Sequence, residues 1–255
     1  MPHRKFNQIY AELKERIESG VYTVGQMLPS ENTLIKEFDC SRNTVRRAVG
    51  CLVRDGYVQT SQGRGICNIY QPLEPSSYAI DTIESFAEAS RRTGQHGTSR
   101  VVQFETCTTD ETLARMTGFP VGTALFHQIC IHNIDGIPRI LNHNYFRQDC
   151  MPNLNAEIAS GSIYHYLEDE LGMSIVTSKR IFTVEHATEE DRALLQLDGY
   201  DCLAVVRSQT YNSEGVMFEC TQSRHYPGIF RFQSNAVRQH VTATPRKAPA
   251  TTTSR

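Results

Sequence analysis

Apolar residues in the first third of the chain recur at the three-to-four-residue spacing of amphipathic helices. They form three stripes, whose members are Phe6, Ile9, Tyr10, Leu13 and Ile17; Leu34, Ile35 and Phe38; and Val45, Ala48, Val49 and Leu52. Pro29-Ser30-Glu31 is a good opening for the second helix, Ser41 is a good N-cap for the third, and Gly56 suits the end of that helix. The pattern therefore predicts three helices, with a short turn at 39–41 between the second and the third.

A short β pattern follows the third helix. Residues 57–60 and 66–70 read as strands across a turn at 61–65, in which Arg64 stands between two glycines. Three helices followed by such a hairpin predict a winged helix-turn-helix. The third helix carries Arg42, Arg46 and Arg47 on its polar face, so it suits the major groove, while the glycine-flanked tip suits the backbone or the minor groove. Simple solvation of the helix is the alternative, and the surrounding motif favours DNA.

Helical and strand patterns alternate irregularly from about residue 80 onward. The predicted helices span 82–93 with Asp81 or Thr82 as cap, 110–116, 162–171 closed by Gly172, and 189–195 capped by Thr188. The predicted strands are 99–106, 124–134, 138–146, 174–186, 203–212 and 216–226, with 230–232 as a last edge strand. Asp135-Gly136 is a type I′ hairpin signal. Hairpins dominate and no βαβ repeat appears, so this part predicts an α+β fold with a mainly antiparallel sheet and flanking helices.

Breaks in the pattern divide the chain. We expect a winged helix-turn-helix domain at 1–70, a Pro/Ser-rich linker at 71–79, a second domain at 80–238 and a disordered tail at 239–255. The first 70 residues carry 10 Lys and Arg against 7 Asp and Glu, whereas the rest carries 16 against 21. A basic head on an acidic body fits a nucleic-acid module joined to a domain that does not touch DNA.

Composition excludes several other classes of protein. No run approaches the length of about 20 apolar residues that a membrane helix needs, and the N-terminus lacks the apolar core of a signal peptide, so we expect a cytoplasmic protein. The eight cysteines form no CxxC pair. In a reducing compartment they are expected to pack as small apolar residues rather than to form disulfides or zinc clusters.

The segments LPSENTL, SRNTVRRAV, CLVRDGYV and GRG resemble the DNA-binding domain of the GntR family of bacterial transcription regulators, over residues 4–70. The resemblance implies base or phosphate contacts from the third helix, a backbone contact supported by Ser30, and a wing tip. The residues in this predicted DNA-binding set are Ser30, Ser41, Arg42, Thr44, Arg46, Arg47, Gly63, Arg64 and Gly65. Asn32 departs from the family pattern, because many members carry an arginine there.

The second domain resembles the UTRA effector-binding domain of the HutC branch, whose fold is similar to chorismate lyase. Within that branch SIYHYLEDELGMSI, EEDRALLQLDGYDCLAVVRSQTY and FECTQSRHYPGIFRF are similar to trehalose operon repressors. The resemblance implies that the turn holding Thr82, Ile83 and Ser85 cradles a sugar phosphate at a helix N-terminus. An ordinary capped helix is the alternative, which the negative charges of Asp81 and Glu84 favour.

The pocket positions that the resemblance assigns depart from the family pattern on one strand. Cys130 and His132 occupy the places of two family arginines, so a phosphate would lose two bidentate partners. Arg139 pairs with His132 if the two-residue turn holds, and so could restore the charge. The remaining predicted pocket residues are Asn142 in place of a carboxylate, Ser162, Glu219, and His225 in place of a tyrosine. Zinc bound by Cys130, His132 and His143 is a further alternative that lacks a fourth ligand.

These observations predict a regulator rather than an enzyme, without a cofactor. We expect a repressor of a sugar-utilisation operon of the trehalose type. It would bind a palindromic operator as a homodimer and be released by a small metabolite such as trehalose 6-phosphate. A non-phosphorylated sugar or a carboxylate is the alternative ligand. An enzyme on the lyase-like fold would need an acid/base set, and the spacing of Glu219, His225 and His132 specifies no reaction.

Overall fold

The computed structural model describes residues 2–61, 63–72, 78–79 and 82–233. The chain divides into two units, one within Met1–Pro72 and the other within Leu73–Ser234. Most of the predicted linker, Asp81 and the whole predicted tail lie outside the described residues. Within the described part, no helix is both long and apolar enough to cross a membrane.

The first unit is the predicted winged helix-turn-helix. Its elements are α1 (Pro2–Glu18), α2 (Glu31–Glu37), α3 (Arg42–Arg54), β1 (Val58–Ser61) and β2 (Gly65–Asn68). The side chains of Ser30 and Ser41 accept hydrogen bonds from the amides of Thr33 and Thr44, so each serine caps the helix that follows it. The predicted apolar stripes of all three helices meet in one core, which includes Ile9, Leu13, Ile17, Leu34, Val45, Ala48, Val49 and Leu52.

The wing is an antiparallel hairpin tied to the helical part by a further stretch of chain. Residues 25–28 run along β2, where the Leu28 amide donates to the Ile66 carbonyl at 2.8 Å and the Asn68 amide donates to the Gln26 carbonyl at 2.8 Å. Leu28, Val58 and Ile66 are buried in the helical core. The hairpin is therefore held on both its hydrogen-bonded edge and its apolar face.

The second unit is built on a long antiparallel sheet. Its helices are α4 (Phe86–Thr93), α5 (Glu111–Thr117), α6 (Ala156–Ala159), α7 (Ile163–His165) and α8 (Glu189–Leu194). Its strands are β3 (Tyr78–Ala79), β4 (Gly97–Thr108), β5 (Ala124–Ile134), β6 (Ile137–Arg147), β7 (Ile175–His186), β8 (Cys202–Asn212), β9 (Met217–His225) and β10 (Phe232–Gln233). Six of these strands pair in the order β4-β5-β6-β9-β8-β7, every neighbouring pair antiparallel, as the hairpin signals predict.

Helices cover both faces of this sheet. On one face, α5 packs over Leu125 and Cys220, and the segment after α8 packs over Ile131 and Val205. On the other face, α6 and α7 pack with Phe146 in a separate apolar cluster. The remaining part of that face lies open beneath α4 and forms a cavity.

Three predicted elements of the second unit are wrong in detail. Helix α4 begins at Phe86 rather than at 82, because Ser85 and Glu88 form a capping box. The predicted helix 162–171 is one turn, α7, followed by a π-helical turn at Tyr166–Glu170. The predicted edge strand at 230–232 is β10, which pairs in parallel with β3 in a separate two-stranded sheet.

Candidate functional site

The exposed side of α3 presents its arginines in three different settings. Arg46 donates from Nε to Glu31 Oε2 at 3.0 Å, and Arg42 donates from Nη2 to Asn32 Oδ1 at 2.9 Å. The side chain of Arg46 is 58% exposed. Exposed pairs of this kind are worth about 0–1 kcal/mol, so these guanidinium groups can exchange their partners for phosphate at little cost. Asn32, the departure from the family pattern, thus holds one of the predicted DNA-binding arginines.

Arg47 lies on a different flank of the helix. Its guanidinium carbon lies 3.9 Å from the centroid of the Phe6 ring, a cation–π contact with α1. Since Arg42 and Arg46 are one helical turn apart, they share a face that Arg47 does not share. The structure therefore brings together two of the three predicted arginines.

The tip of the wing has the backbone that the glycines predict. Gly63 and Gly65 have φ values of 79° and 102°, in the region that favours glycine. The amide of Arg64 donates to the Ser61 carbonyl at 3.1 Å, which closes the turn, and the Arg64 side chain is exposed. Because these two glycines have no side chains, the backbone of the tip can approach another surface closely.

The cavity of the second unit has a volume of about 260 Å³ and lies between α4, the loop before α7 and the sheet. Among the predicted pocket residues, those that line it are Thr82, Ser85, Cys130, His132, Asn142, Ser162, Glu219 and His225. Ile83 and Arg139 are described and are not part of its lining. Most of the predicted set is thus brought together in one place.

A chain of hydrogen-bonded side chains crosses the floor of the cavity from β4 to β9. Ser99 Oγ lies 2.7 Å from His132 Nδ1, and Asn142 Nδ2 lies 2.9 Å from His132 Nε2. Ser223 Oγ then donates to Asn142 Oδ1 at 2.6 Å and lies 2.8 Å from His225 Nε2. These hydrogen bonds join side chains of neighbouring strands, because side chains of cross-strand partners point to the same face of the sheet. The floor is therefore a preformed polar network.

Burial keeps this network uncharged. Desolvation lowers the pKa of His132 to about 4 and that of His225 to about 3, with the neighbouring imidazole of His132 a second cause for His225. Desolvation likewise raises the pKa of the Cys130 thiol to about 11. At neutral pH these three side chains offer a thiol and two neutral imidazoles.

Glu219 is the buried carboxyl group of the cavity. The Tyr164 hydroxyl donates to its Oε2 at 2.9 Å, and the Thr221 hydroxyl lies 3.3 Å from its Oε1. Desolvation raises the pKa of Glu219, whereas these hydrogen bonds act in the opposite direction. Ser162 lines the cavity as the N-cap of α7, since its hydroxyl accepts from the His165 amide at 3.3 Å. The arrangement can bind hydroxyl groups through acceptors and donors at once.

Sequence reasoning missed Arg180, a cation on β7 that lines the cavity. Its Nη2 donates to the carbonyl of Thr82 at 2.9 Å, at the edge of α4. The strand that carries Arg180 is mostly exposed, and its apolar and polar residues do not alternate regularly, so the sequence carries no signal that this residue faces inward. Ser178, two residues earlier on the same strand, lines the cavity as well.

The prediction that Arg139 pairs with His132 is wrong. A β-bulge interrupts the ladder, so His132 pairs with Ile140 while Asn133 pairs with Pro138. Arg139 points to the opposite face, where it donates to the Gln196 carbonyl at 2.6 Å and forms an ion pair with Asp198 at 2.7 Å. It therefore supplies no charge to the cavity.

The bulge also removes the zinc alternative. His143 pairs with Ile129 and lies on the face opposite Cys130 and His132, where its Nε2 is 3.2 Å from Glu190 Oε2. Among the residues that the structure describes, no group of three or more His, Cys, Asp or Glu side chains converges in a metal-binding arrangement.

Comparison with known proteins agrees with this division of the chain. The family model "Bacterial regulatory proteins, gntR family" matches residues 5–67, and the UTRA domain model matches residues 92–231. The HTH-type transcriptional regulator TreR of Bacillus subtilis is 33% identical over 232 residues, which cover 91% of this chain and 97% of that protein. The chain belongs to the GntR family of transcriptional regulators.

Other GntR-family relatives extend the comparison. The transcriptional repressor NagR of Bacillus subtilis is 25% identical and matches 86% of this chain and 88% of its own length. The crystal structure of the possible transcriptional regulator YydK from Bacillus subtilis superimposes with a TM-score of 0.74 at 21% identity, over 91% of this chain and 99% of that one, and supports the fold. The effector-binding domain of the Bacillus subtilis trehalose repressor superimposes with a TM-score of 0.50 at 34% identity, over 56% of this chain and 99% of its own.

Proposed function

We propose that this GntR-family regulator is a repressor of a sugar-utilisation operon of the trehalose type. In this proposal α3 enters the major groove of a palindromic operator, and two copies of the chain bind its two halves. A small metabolite that occupies the cavity of the UTRA domain releases the protein from DNA. The relatives support the assignment, since one of them is a trehalose repressor.

The observation that carries the DNA part is the paired setting of Arg42 and Arg46. Both lie on the exposed face of α3, and each is held by a side chain from the start of α2, Asn32 or Glu31. Guanidinium groups so placed can read guanine or bind phosphate as the helix enters the groove. Arg64 at the wing tip would then reach the backbone or the adjacent minor groove.

A homodimer follows from the small reading surface. A single short helix contacts few base pairs, and specific binding needs a larger interface than one such module supplies. Two-fold symmetry of the protein then requires a palindromic operator. Light scattering should give twice the chain mass of 28.8 kDa, and a monomer at micromolar concentration on and off DNA would contradict this part.

The ligand part rests on the cavity. The similarity to trehalose repressors suggests trehalose 6-phosphate as the ligand, and a non-phosphorylated sugar or a carboxylate is the alternative ligand. The ligand would act by differential affinity for the DNA-bound and released conformations, which makes the two binding events reciprocally coupled.

The test of DNA binding compares two arginines of the same helix. Arg46→Ala should weaken binding to an operator selected from a palindrome library by about tenfold, and reduce the slope of log affinity against log salt by about 1, as expected for one phosphate or base contact. Arg54→Ala removes the same charge about 12 Å further along α3, at eight residues of about 1.5 Å rise, and should change neither quantity. Equal effects of the two substitutions in fluorescence anisotropy would contradict the docking of α3.

A further inference from the structure

We propose that the ligand of the UTRA cavity is a neutral sugar, without a phosphate or a carboxylate group. This inference rests on the proposed function, because it names the class of metabolite that releases the regulator. The supporting observation is that side chains of this protein already occupy the positions where an anion would bind in the cavity.

The first such place is the N-terminus of α4, which borders the cavity. The amide and the hydroxyl of Ser85 both donate to Glu88 Oε2, at 2.8 and 2.7 Å. Glu84 stands at the same end, where its carboxylate accepts from Arg92 at 2.8 and 2.9 Å. A phosphate that approached the Ser85 amide would have to displace the Glu88 carboxylate and would meet its negative charge. The amide of the N-cap residue is thus already bound to an internal anion.

The second place is the floor beside α4. The ring of Phe86 stacks on the imidazole of His132, with centroids 4.2 Å apart and planes 26° apart. Both nitrogens of that imidazole have partners, in Ser99 and Asn142. Since Asn142 Oδ1 accepts from Ser223, its Nδ2 donates to His132 Nε2, so that nitrogen is an acceptor. Protonating His132 to meet an anion would break this hydrogen bond.

The charges that line the cavity give the third argument. Among its described lining residues, the charged side chains are Glu84, Glu219 and Arg180. Glu84 is paired with Arg92, so Arg180 and Glu219 remain, with opposite charges when both are ionised. A sugar phosphate would add a charge of about −1.5 to −2 beside a single lining cation, and that cation already donates to the Thr82 carbonyl. A neutral ligand leaves the opposite charges of Arg180 and Glu219 balanced.

The lining also suits sugar hydroxyls directly. Amide, hydroxyl and carboxyl groups of Asn142, Asn144, Thr221 and Glu219 supply both donors and acceptors, and Val206 adds an apolar surface for the ring carbons. The volume of about 260 Å³ is near the lower bound of about 300 Å³ for ligand pockets, which suits a monosaccharide or disaccharide.

The experiment uses the full chain and matched pairs of probes: trehalose with trehalose 6-phosphate, and glucose with glucose 6-phosphate. Titration calorimetry should show the neutral member of at least one pair binding at least tenfold more tightly than its phosphate. The same neutral sugar should release the selected operator DNA. Tighter binding of the phosphorylated member in either pair, or no binding by any neutral sugar of a panel of common mono- and disaccharides, would overturn the inference.

Operator binding without sugar is measured first, so the two proposals fail separately. If DNA binds and a sugar phosphate releases it, the neutral-ligand inference is wrong and the repressor proposal stands. If no DNA is bound, the repressor proposal itself is wrong.

A substitution at the helix end provides a second, independent readout. Glu88→Gln removes the internal anion from the Ser85 amide and hydroxyl and should raise the affinity for the phosphorylated member of each pair by at least about threefold. Glu214→Gln, in the exposed turn between β8 and β9, removes the same charge away from the cavity and should leave that affinity unchanged. An unchanged phosphate affinity in a folded Glu88→Gln protein would refute the exclusion of anions at this end.

Discussion

The two histidines buried in the cavity floor should make the UTRA domain sensitive to mild acid. His132 and His225 have folded-state pKa values lowered to about 4 and about 3 by burial, against an unfolded value near 6.5. As the pH falls below 6.5, these two histidines bind protons in the unfolded chain but stay unprotonated in the folded domain. The stabilising effect of these two neutral imidazoles is therefore complete above pH 6.5 and is lost progressively as the pH falls towards 4.

The size of the loss follows from proton linkage. Between pH 7 and pH 5.5 each histidine should remove about 1.2 kcal/mol from the free energy of unfolding, or about 2.5 kcal/mol for both. For a domain of this length that is a drop in melting temperature of about 5–10 °C. Glu219 acts in the opposite sense, because burial raises its pKa and acid favours its folded, protonated form.

Calorimetric melting of the wild type and of a His132→Gln/His225→Gln variant at both pH values separates these contributions. Glu219 is common to the two proteins, so its effect cancels in the comparison. The variant should lose about 2.5 kcal/mol less than the wild type on acidification. Equal acid shifts in the two proteins would show that the buried imidazoles are not the cause, and would refute the neutral state assigned to the cavity floor.

Two further substitutions test other parts of the UTRA domain. Asp191→Asn should lower the stability of the domain by about 3 kcal/mol in urea unfolding, because the buried Arg224 loses a carboxylate that accepts from its Nε at 2.9 and 3.0 Å. Glu189 is exposed on the same helix, so Glu189→Gln should have little effect. An equally large loss in Glu189→Gln would count against the ion pair as the cause. Glu219→Ala should leave operator binding intact while abolishing sugar-induced release, and normal release in gel shifts would remove Glu219 from the ligand site.

Local signals in the sequence were sufficient for most elements. The apolar stripes of α1, α2 and α3 predict their shared core because helical spacing alone determines which side chains face inward. Asp135-Gly136 predicts its hairpin because both residues take positive φ values, 52° and 80°, which the type I′ turn requires. Capping serines and Thr188 likewise locate helix starts.

Features that depend on distant partners were not predictable in this way. Nothing in the sequence near Arg180 signals that its side chain reaches the Thr82 carbonyl, which lies 98 residues away in the chain. Thr82 and Ser85 are both acceptable caps, and only the Glu88 contact decides between them, so the sequence alone places the start of α4 too early. The bulge opposite Asn133 has no local signal, because a two-residue turn at Asp135-Gly136 predicts an uninterrupted ladder between β5 and β6.

That bulge decides which side chains of β6 face the cavity. The one additional residue it inserts after Pro138 makes Asn142 and Asn144 face the cavity, while Arg139 and His143 face away. Since side chains alternate strictly along a strand, an uninterrupted ladder with His132 opposite Arg139 would reverse every later position of β6 at once. Arg139 would then enter the cavity and the two asparagines would leave it, so a single irregularity in strand pairing keeps this guanidinium out of the cavity.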